Sequence, residues 1–520
     1  MNKYFFQHSI VLLAITLIFG CAKKSDDDDS SSSASGSSAE LVSAMPSNLA
    51  ISSNTASGSS VASRVAIRST KEIKDDSDPV RHKDKVDRIK AVLKAESIDQ
   101  CHKAIPKNMK HSGGKYVSCY GPELAYVNHP SDNTSDGTLP TGDLGIWTPY
   151  SDNSTQEACA AGQMNLLMKK TSKKLDLAMG ISAMMVCAAK NDGLSKPSVG
   201  GGALDVTESV KKTKISDKRG GMSITSATLQ RSSLASGKTL WTSSLSGSFK
   251  ATGDSSAQSF TITLKHVPSS EGSSVSQEGE GLVQMYQEGL SETDGNCGGS
   301  TLGIANSVAY KTTSDNLSFR AIRAKFPSSV SGTGFFDTDG ELIQKNSNED
   351  STNGWCADYN VVVANVDSDG FGKVSYAWQA GKGDGYTRTF NIKTDNVSGT
   401  LSGDAYFGFN PNPDTNNSND YRSTSIDRMI CNWAGPNNGR TGVSKIQRQQ
   451  LSYDSTNYVW KSTSDNITFA PTNSCDFDNS SYSTTTFGGS GASITNNLES
   501  ISNYTSNYGS QPSAPSVTLE

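Results

Sequence analysis

The sequence predicts a mainly β protein of the α+β class, in which a small disulfide-linked helical N-terminal domain precedes tandem antiparallel β modules of sandwich- or barrel-like form. Three observations lead to this prediction: helical periodicity ends near residue 200, alternation of apolar and polar residues begins near residue 203, and the alternating part contains an internal duplication. The predicted segments are a signal peptide (1–20), a lipid anchor with a disordered Ser/Asp-rich linker (21–70), a helical disulfide-bonded domain (71–200), β module 1 (205–356), β module 2 (357–480) and a polar C-terminal tail (481–520).

The composition narrows the class of protein before any motif is considered. Of the 520 residues, 34% are hydrophobic, 8% are aromatic and 47 are glycines, and the mean hydropathy is −0.47. A chain this polar is not a multi-span membrane protein, and its aromatic content is too high for a chain that is disordered throughout. The net charge of −5 argues against a nucleic-acid binder, because such proteins carry a strong basic bias.

Residues 1–21, MNKYFFQHSIVLLAITLIFGC, have the pattern of an export signal. Lys3 precedes an apolar run from Ile10 to Phe19, which as a helix spans about half of a bilayer core. The ending Leu17-Ile18-Phe19-Gly20-Cys21 resembles the lipobox of bacterial lipoproteins. The resemblance implies cleavage before Cys21 and attachment of lipid, such as palmitate, to its thiol and new N-terminus.

The segment after Cys21 is expected to tether the anchor to a folded body. From Ser25 to about Ser69 the chain is dominated by Ser, Ala, Gly and Asp, which bury too little apolar surface to offset the entropy of folding. The acidic run Asp26–Asp29 loosely resembles surface-export signals of some bacterial lipoproteins, although a solvated charge run has the same composition. We therefore expect a lipid-anchored protein of the cell envelope, at the outer membrane, either periplasmic or surface-exposed.

Two regions before residue 200 have helical patterns. Asp78-Pro79 is a helix start, because Asp caps the first turn and Pro fits its first position. The helix that follows has an apolar stripe formed by Val86, Ile89, Val92 and Leu93. A second region, 154–189, starts with a capping box, and we expect it to form a hairpin that turns at its basic midpoint. Such a hairpin would bring Cys159 against Cys187.

After about residue 203, apolar and polar residues alternate with period two. The apolar members of two such runs are Phe260, Ile262 and Leu264, and Val374, Tyr376 and Trp378. This pattern predicts half-buried antiparallel strands. The dipeptides Asp369-Gly370 and Asp384-Gly385 are typical of the turns between them.

The alternating region contains two related copies. Tyr310–Phe319 and Trp460–Phe469 are identical at six of ten positions. Upstream, Gly253-Asp254 precedes Phe260 with the same spacing by which Gly383-Asp384 precedes Phe390. The duplication predicts tandem β modules, and it leaves open whether they fold separately or as one sheet system.

The cysteine count agrees with export. Of nine cysteines, removal of Cys21 leaves an even number, which in an exported chain predicts disulfides among Cys101, Cys119, Cys159, Cys187, Cys297, Cys356, Cys431 and Cys475. Their spacing favours the pairs 101–119, 159–187, 297–356 and 431–475, although eight cysteines allow about 105 connectivities. The absence of CxxC spacing and of interleaved histidines argues against zinc.

Residues for catalysis or metal binding are few. His266 is the single histidine of the β half, so a Ser-His-Asp triad there would have to use it, and no catalytic residue is predicted. Calcium is the one cofactor considered: short acidic motifs that resemble the start of calcium loops supply candidate ligands at Asp337, Asp339, Asp367 and Asp369. The first interpretation of these motifs is a turn between strands, so the sequence predicts no metal site.

The function predicted from the sequence is a lipid-anchored cell-envelope protein that displays β modules for binding or adhesion, without evident catalysis. Its expected partners are the membrane, through the lipid, and an envelope glycan or protein, but not nucleic acid. One alternative is an envelope glycan or peptidoglycan hydrolase that uses an Asp/Glu pair, which needs no histidine. A second alternative is a structural envelope component.

Overall fold

The computed structural model confirms a mostly β protein with few helices. It describes residues 82–105, 177–218, 222–249, 257–269, 279–290, 302–313, 316–327, 336–338, 340, 359–367, 372–380, 386–397, 400–411, 424–432, 441–454, 459–462 and 498–520. The predicted signal peptide, Cys21 and the linker lie outside these residues, so the predictions about them stay predictions.

The described strands form one antiparallel sheet in which each strand pairs with the next along the chain from β1 to β11, then with β14 and β15. Its strands are β1 (Leu204–Asp205), β2 (Met222–Ser233), β3 (Thr239–Phe249), β4 (Gln258–Pro268), β5 (Gly279–Leu290), β6 (Leu302–Thr312), β7 (Asn316–Pro327), β8 (Tyr359–Asp367), β9 (Gly372–Ala380), β10 (Tyr386–Val397), β11 (Thr400–Pro411), β14 (Lys445–Asp454), β15 (Val459–Ser462) and β16 (Leu498–Ser500), which pairs with β14. A separate two-stranded sheet joins β12 (Met429–Asn432) to β13 (Thr441–Val443).

Among the described helices, only α1 and α2 are longer than eight residues. They are α1 (His82–Leu93), a 3-10 helix (Ile98–Ala104), α2 (177–191), α3 (Thr207–Lys212), α4 (Ile215–Lys218) and α5 (Ile501–Tyr508). As predicted from the apolar stripe of α1, Ile89, Val92 and Leu93 are buried.

Helix α2 is the centre of the core. Its residues 178–189 are buried all around the helix, which requires cover on every side. The cover comes from a single apolar cluster that joins α2 to residues of β2 through β11 and of β14. The sheet therefore curves around α2, and we call the face toward α2 the inner face and the opposite face the outer face.

The alternation predicted for β4 is confirmed. Phe260, Ile262 and Leu264 lie in the cluster around α2, so they point to the inner face. The threonines between them point outward, where Thr261 and Thr263 approach serine hydroxyls of β3 at 3.0 and 3.3 Å. Such cross-strand pairs stabilise the outer face where no apolar side chain is available.

The predicted disulfide pairs 101–119 and 159–187 are wrong, because Cys101 is bonded to Cys187 with a Cα–Cα distance of 5.6 Å. Helix α2 packs against the 3-10 helix, whereas the first arm of the predicted hairpin lies outside the described residues. The approach is close: a Cβ at Gly180 would lie 2.6 Å from the carbonyl oxygen of Ala104. Asn191 adds hydrogen bonds from Nδ2 to the carbonyl oxygens of Ala95 and Cys187 at 3.1 and 2.9 Å.

The strands on the two sides of the predicted module boundary belong to one sheet. β7 lies before the predicted boundary at 356/357 and β8 after it, and the two strands pair along their length, from Asn316 opposite Asp367 to Ala324 opposite Tyr359. Strands of both predicted modules therefore share one sheet and one apolar core.

Residues 498–520, which the sequence analysis assigned to a polar tail, pack against the sheet. β16 pairs with β14 beside Lys445–Gln447, and α5 lays Tyr504 and Tyr508 against Tyr406 on the outer face. The chain then ends in an apolar cluster whose members are Leu234, Leu240, Val267, Leu282, Ala309, Val517 and Leu519.

Candidate functional site

The two ends of the sheet differ in the length of their connections. In an antiparallel sheet with sequential strands, alternate connections leave from opposite ends. One end has the connections 234–238, 269–278, 313–315, 368–371, 398–399 and 455–458. The other end has 250–257, 291–301, 328–358, 381–385 and 412–444. We call these the short-turn end and the long-connection end; long connections on a rigid scaffold are where binding residues concentrate.

Polar side chains line the inner face toward the long-connection end. Asn306 of β6 lies opposite Arg323 of β7, and Arg323 lies opposite Asn360 of β8. Two residues further from that end, the same strands carry the apolar layer Val308, Ala321 and Val362. Because residues two apart in a strand share a face, the three polar residues point to the inner face. Together with Gln258 of β4 and Gln287 of β5, they form what we call the inner polar row.

Three of the four amides in this row have hydrogen-bond partners. Gln287 Nε2 donates to Gln258 Oε1 at 2.7 Å, and Tyr376 Oη donates to Asn360 Oδ1 at 3.2 Å. Asn306 differs: it is 5% exposed, and its buried Nδ2 has no hydrogen-bond partner in the described part of the chain. A buried donor in this state is uncommon in folded proteins.

The short-turn end of the inner face carries a buried histidine–tyrosine pair. His266 Nδ1 and Tyr310 Oη are 2.9 Å apart, and both residues have no exposed surface. Burial lowers the pKa of His266 to about 3, against the opposing effect of the Glu280 backbone, and burial raises the pKa of Tyr310 well above its usual value. Both groups are therefore neutral at physiological pH.

The surroundings of His266 indicate a structural role rather than that of a general base. A general base must reach its substrate and have a pKa near the working pH. His266 is enclosed, its ring partner is a phenol rather than a carboxylate, and its pKa is far below 7. The cation–π contact of Arg231 with Trp241, at 4.9 Å, lies on the neighbouring strands of the same face.

On the outer face, the C-terminal segment covers polar side chains of three adjacent strands. Tyr508 Oη lies 2.7 Å from Ser375 Oγ of β9, and Asn391 Nδ2 of β10 donates to Tyr504 Oη at 2.8 Å. Tyr406 of β11 meets the ring of Tyr504 edge-on at 5.1 Å. Burial raises the pKa of each of the three tyrosines, so all of them stay protonated at neutral pH.

Two carboxylates also meet on this side of the sheet. Arg448 of β14 donates from Nε to Asp404 Oδ1 at 2.9 Å and from Nη1 to Glu499 Oε2 at 3.1 Å. The guanidinium thus joins β11, β14 and β16. Asp404 and Glu499 come together through Arg448, as in a structural ion-pair network.

The residues predicted from sequence are distributed as follows. Cys101 and Cys187 are joined to each other, and Cys431 lies within β12. Asp337 begins a turn in which its carbonyl oxygen accepts from the Gly340 N–H at 3.1 Å, and Asp367 ends β8. Among the described residues no group of three or more His, Cys, Asp or Glu side chains could hold a metal ion. Outside the described residues lie Cys21, Cys119, Cys159, Cys297, Cys356, Cys475, Asp339 and Asp369.

The sequence analysis did not find the inner polar row. A signal was present, since Asn306 alternates with the apolar residues Val308 and Tyr310 and so occupies a core-face position. Its neighbours Arg323 and Asn360 could be found only from the strand register, because β7 and β8 are separated by 328–358.

Comparison with known protein families, curated proteins and solved structures finds no match for this chain. Within the described part of the chain, no helix has the length and apolar character needed to cross a membrane.

Proposed function

We propose that this chain is a lipid-anchored protein of the bacterial cell envelope whose β body is displayed for binding or adhesion. The anchor rests on the lipobox-like residues Leu17–Cys21, and the display rests on the Ser/Asp-rich linker that follows. The finer division into a helical N-terminal domain and two β modules is part of the same proposal, with the modules as units of sequence duplication within one sheet.

The observation that carries the binding function is the difference between the two ends of the sheet. The connections 328–358 and 412–444 leave from one end, whereas turns such as 313–315 and 398–399 are confined to the other. A scaffold with this asymmetry offers its long-connection end as the recognition surface. The partner class is an envelope glycan or protein.

The binding function is tested by shortening the long connections separately. Replacing 341–355 or 412–423 with a brief Gly/Ser linker keeps every cysteine and every described strand. In the control, the turn 398–399 is lengthened by a few Gly/Ser residues at the opposite end. We expect shortened chains to lose binding to isolated envelope glycans and proteins and the control to keep it; equal binding by all of them would disprove the proposal.

The anchor is tested by Cys21→Ser in cells that are fed labelled fatty acid. We expect the variant to remain unprocessed and unlabelled, whereas the wild-type chain carries the label. Retention of label by the variant would show that the lipid is attached at another residue, and the proposed anchor at Cys21 would be wrong.

A further inference from the structure

The N-terminal helices are fastened to the end of α2 at one place. Cys101 of the 3-10 helix is bonded to Cys187 of α2. Beside this bond, Asn191 Nδ2 donates to the carbonyl oxygen of Ala95 at 3.1 Å, and Lys190 Nζ donates to the same oxygen at 3.4 Å. The chain that arrives from the linker is therefore held to α2 by one covalent bond and by the hydrogen bonds around it. We call this arrangement the Cys101–Cys187 junction.

The junction is a covalent short cut across a long stretch of chain. The two Cα atoms are 5.6 Å apart, although the sequence separation is 86, so the 85 residues 102–186 lie within the closed loop. A pull on the linker that reaches Cys101 passes through the bond to Cys187, because the path through the loop is many times longer. Residues 106–176, which lie outside the described residues, fall inside this loop and bear no tension while the bond is intact.

Beyond Cys187, a short series of contacts leads into the sheet. Asp192 follows the last residue of α2, and its Oδ2 accepts from Ser209 Oγ at 2.7 Å and from Lys212 Nζ at 2.8 Å, two donors of α3. At the start of α3, the hydroxyl of Thr207 accepts from the Ala227 N–H of β2 at 2.9 Å. The end of α2, α3 and β2 are thus joined by contiguous polar contacts, one of which is charge-assisted.

The position of Cys187 within α2 also favours a load-bearing role. Helix α2 begins at position 177, so a pull along the chain without the disulfide would act first on its first turn. Helix ends open at low free energy, and such a pull would detach the helix one turn at a time. A pull at Cys187 acts ten residues further on, where α2 is enclosed by the core and can move only against its packing as a whole.

We propose that the Cys101–Cys187 junction carries tension from the N-terminal tether into the β body and shields residues 102–186 from it. The inference rests on the proposed function, since a protein that joins a membrane anchor to a bound partner is under tension whenever the two move apart. Without the junction, residues 102–176 would extend by roughly 260 Å before the load reached α2. With it, the load enters the core directly.

The test is single-molecule pulling on the full-length chain in detergent. One peptide tag is inserted in the linker at 60–69 and another in 412–423, and both are ligated enzymatically because thiol coupling would react with the cysteines. We expect Cys101→Ala with Cys187→Ala to extend by roughly 260 Å before the β body unfolds, and the wild type to lack this step. The control is Ser97→Ala, which keeps the disulfide and should give the wild-type trace.

A second measurement does not depend on the folding of the double variant. A site for a specific protease is inserted at 110–116, a stretch that contains no cysteine, in the otherwise wild-type chain. After cleavage, Cys101 is the single disulfide cysteine on the N-terminal piece. We expect the cleaved chain to remain tethered with an unchanged trace and to part once a reductant is added. The same insertion in the double variant should let the tether part on cleavage.

Three results would overturn the load-bearing junction: a step of roughly 260 Å in the wild type, identical traces for the wild type and the double variant, or parting of the cleaved chain without reductant. The pulling measurement uses tags in place of the lipid, so it fails separately from the proposed anchor. The step in the wild type would refute the junction and keep the anchor. Retention of fatty-acid label by Cys21→Ser would refute the anchor and leave the traces unchanged.

Discussion

His266 and Tyr310 form a buried hydrogen bond between β4 and β6, passing over the glycines of β5 that separate them. Gly279 and Gly281 leave the space, since a Cβ at Gly281 would overlap the Tyr310 hydroxyl and a Cβ at Gly279 would lie 2.6 Å from His266 Cε1. The pair therefore depends on three adjacent strands, and its polar atoms are sealed in the core around α2.

From this buried pair we predict that the free energy of unfolding decreases as the pH is lowered. The folded-state pKa of His266 is about 3, below the ordinary value of 6.5 that applies to the unfolded chain. Because the unfolded chain takes up the proton first, the contribution of His266 is complete above pH 6.5 and declines as pH falls toward 3, by up to about 1.4 kcal/mol per pH unit. Urea unfolding at several pH values measures this dependence.

The matched variant is His266→Phe combined with Tyr310→Phe, which keeps two aromatic rings and removes both polar groups. Carboxylates throughout the chain also titrate in this range, so the difference between wild type and the double variant isolates the pair. We expect the variant to lose less stability between pH 6.5 and 4. Identical pH dependence, or an NMR titration of His266 near pH 6.5, would contradict the burial seen here.

The link between Cys101 and Cys187 gives a second prediction. The bond closes a sequence separation of 86 residues and ties α2 to the 3-10 helix. In the chain-entropy description, opening a loop of this size destabilises the protein by about 4.5 kcal/mol. We expect Cys101→Ala with Cys187→Ala to lower the free energy of unfolding by about this amount, measured in urea.

The control for the disulfide is Ser97→Ala, since Ser97 is exposed and its side chain makes no capping hydrogen bond to the adjacent 3-10 helix. It should leave stability unchanged within about 0.5 kcal/mol. Non-reducing peptide mapping checks the pairing directly. A 159–187 peptide in place of 101–187 would restore the helical hairpin expected from the sequence and refute the contact between α2 and the 3-10 helix.

The sequence predicts the parts of this fold that depend on local interactions, and it misses parts that depend on contacts between residues far apart in the chain. Period-two alternation at Phe260, Ile262 and Leu264 assigned the inner face of β4, because that signal is local. The pairing of Cys187 was wrong because the partner was chosen by sequence symmetry within 154–189. The actual partner, Cys101, is brought to α2 by core packing that no local pattern encodes.

The internal duplication shows the same limit. The upstream matches are placed equivalently, since Phe260 of β4 and Phe390 of β10 both point into the cluster around α2. The downstream matches are not placed equivalently. Tyr310 lies in β6, which is two strands away from β4 in the sheet, whereas Trp460 lies in β15, which is three strands away from β10. The two segments therefore run in opposite directions relative to their own upstream strands. Sequence similarity alone does not report this change of direction.

The contacts of α5 give a third prediction. Tyr508 is 1% exposed and bonds to Ser375, and its ring stacks on Tyr504 at 5.5 Å. We expect Tyr508→Phe to cost about 1 kcal/mol through loss of one hydrogen bond, and Tyr508→Ala to cost about 3–5 kcal/mol through loss of the ring. Urea unfolding measures both, and limited proteolysis should cut the alanine variant first within 498–520.

Ser506→Ala serves as the control on the same helix, because position 506 is exposed and lies away from the sheet. Its stability should match or slightly exceed that of the wild type, since Ala favours helix. If Tyr508→Ala were as stable as Ser506→Ala, the C-terminal segment would not be packed on β9, β10 and β11.

Gly281 gives the last prediction, which tests how closely β5 passes between β4 and β6. A Cβ at this position would overlap both the carbonyl oxygen of Lys265 and the hydroxyl of Tyr310. Because the first of these atoms belongs to the backbone of the paired strand, the overlap cannot be relieved by rotating a side chain. We expect Gly281→Ala to lower the free energy of unfolding by about 1–3 kcal/mol. Gly202→Ala is the matched control, since no atom lies within 4 Å of its added Cβ, and it should be neutral. Equal stability of the two variants in urea would mean that Tyr310 does not occupy the space above Gly281, and the hydrogen bond to His266 would then be absent in solution.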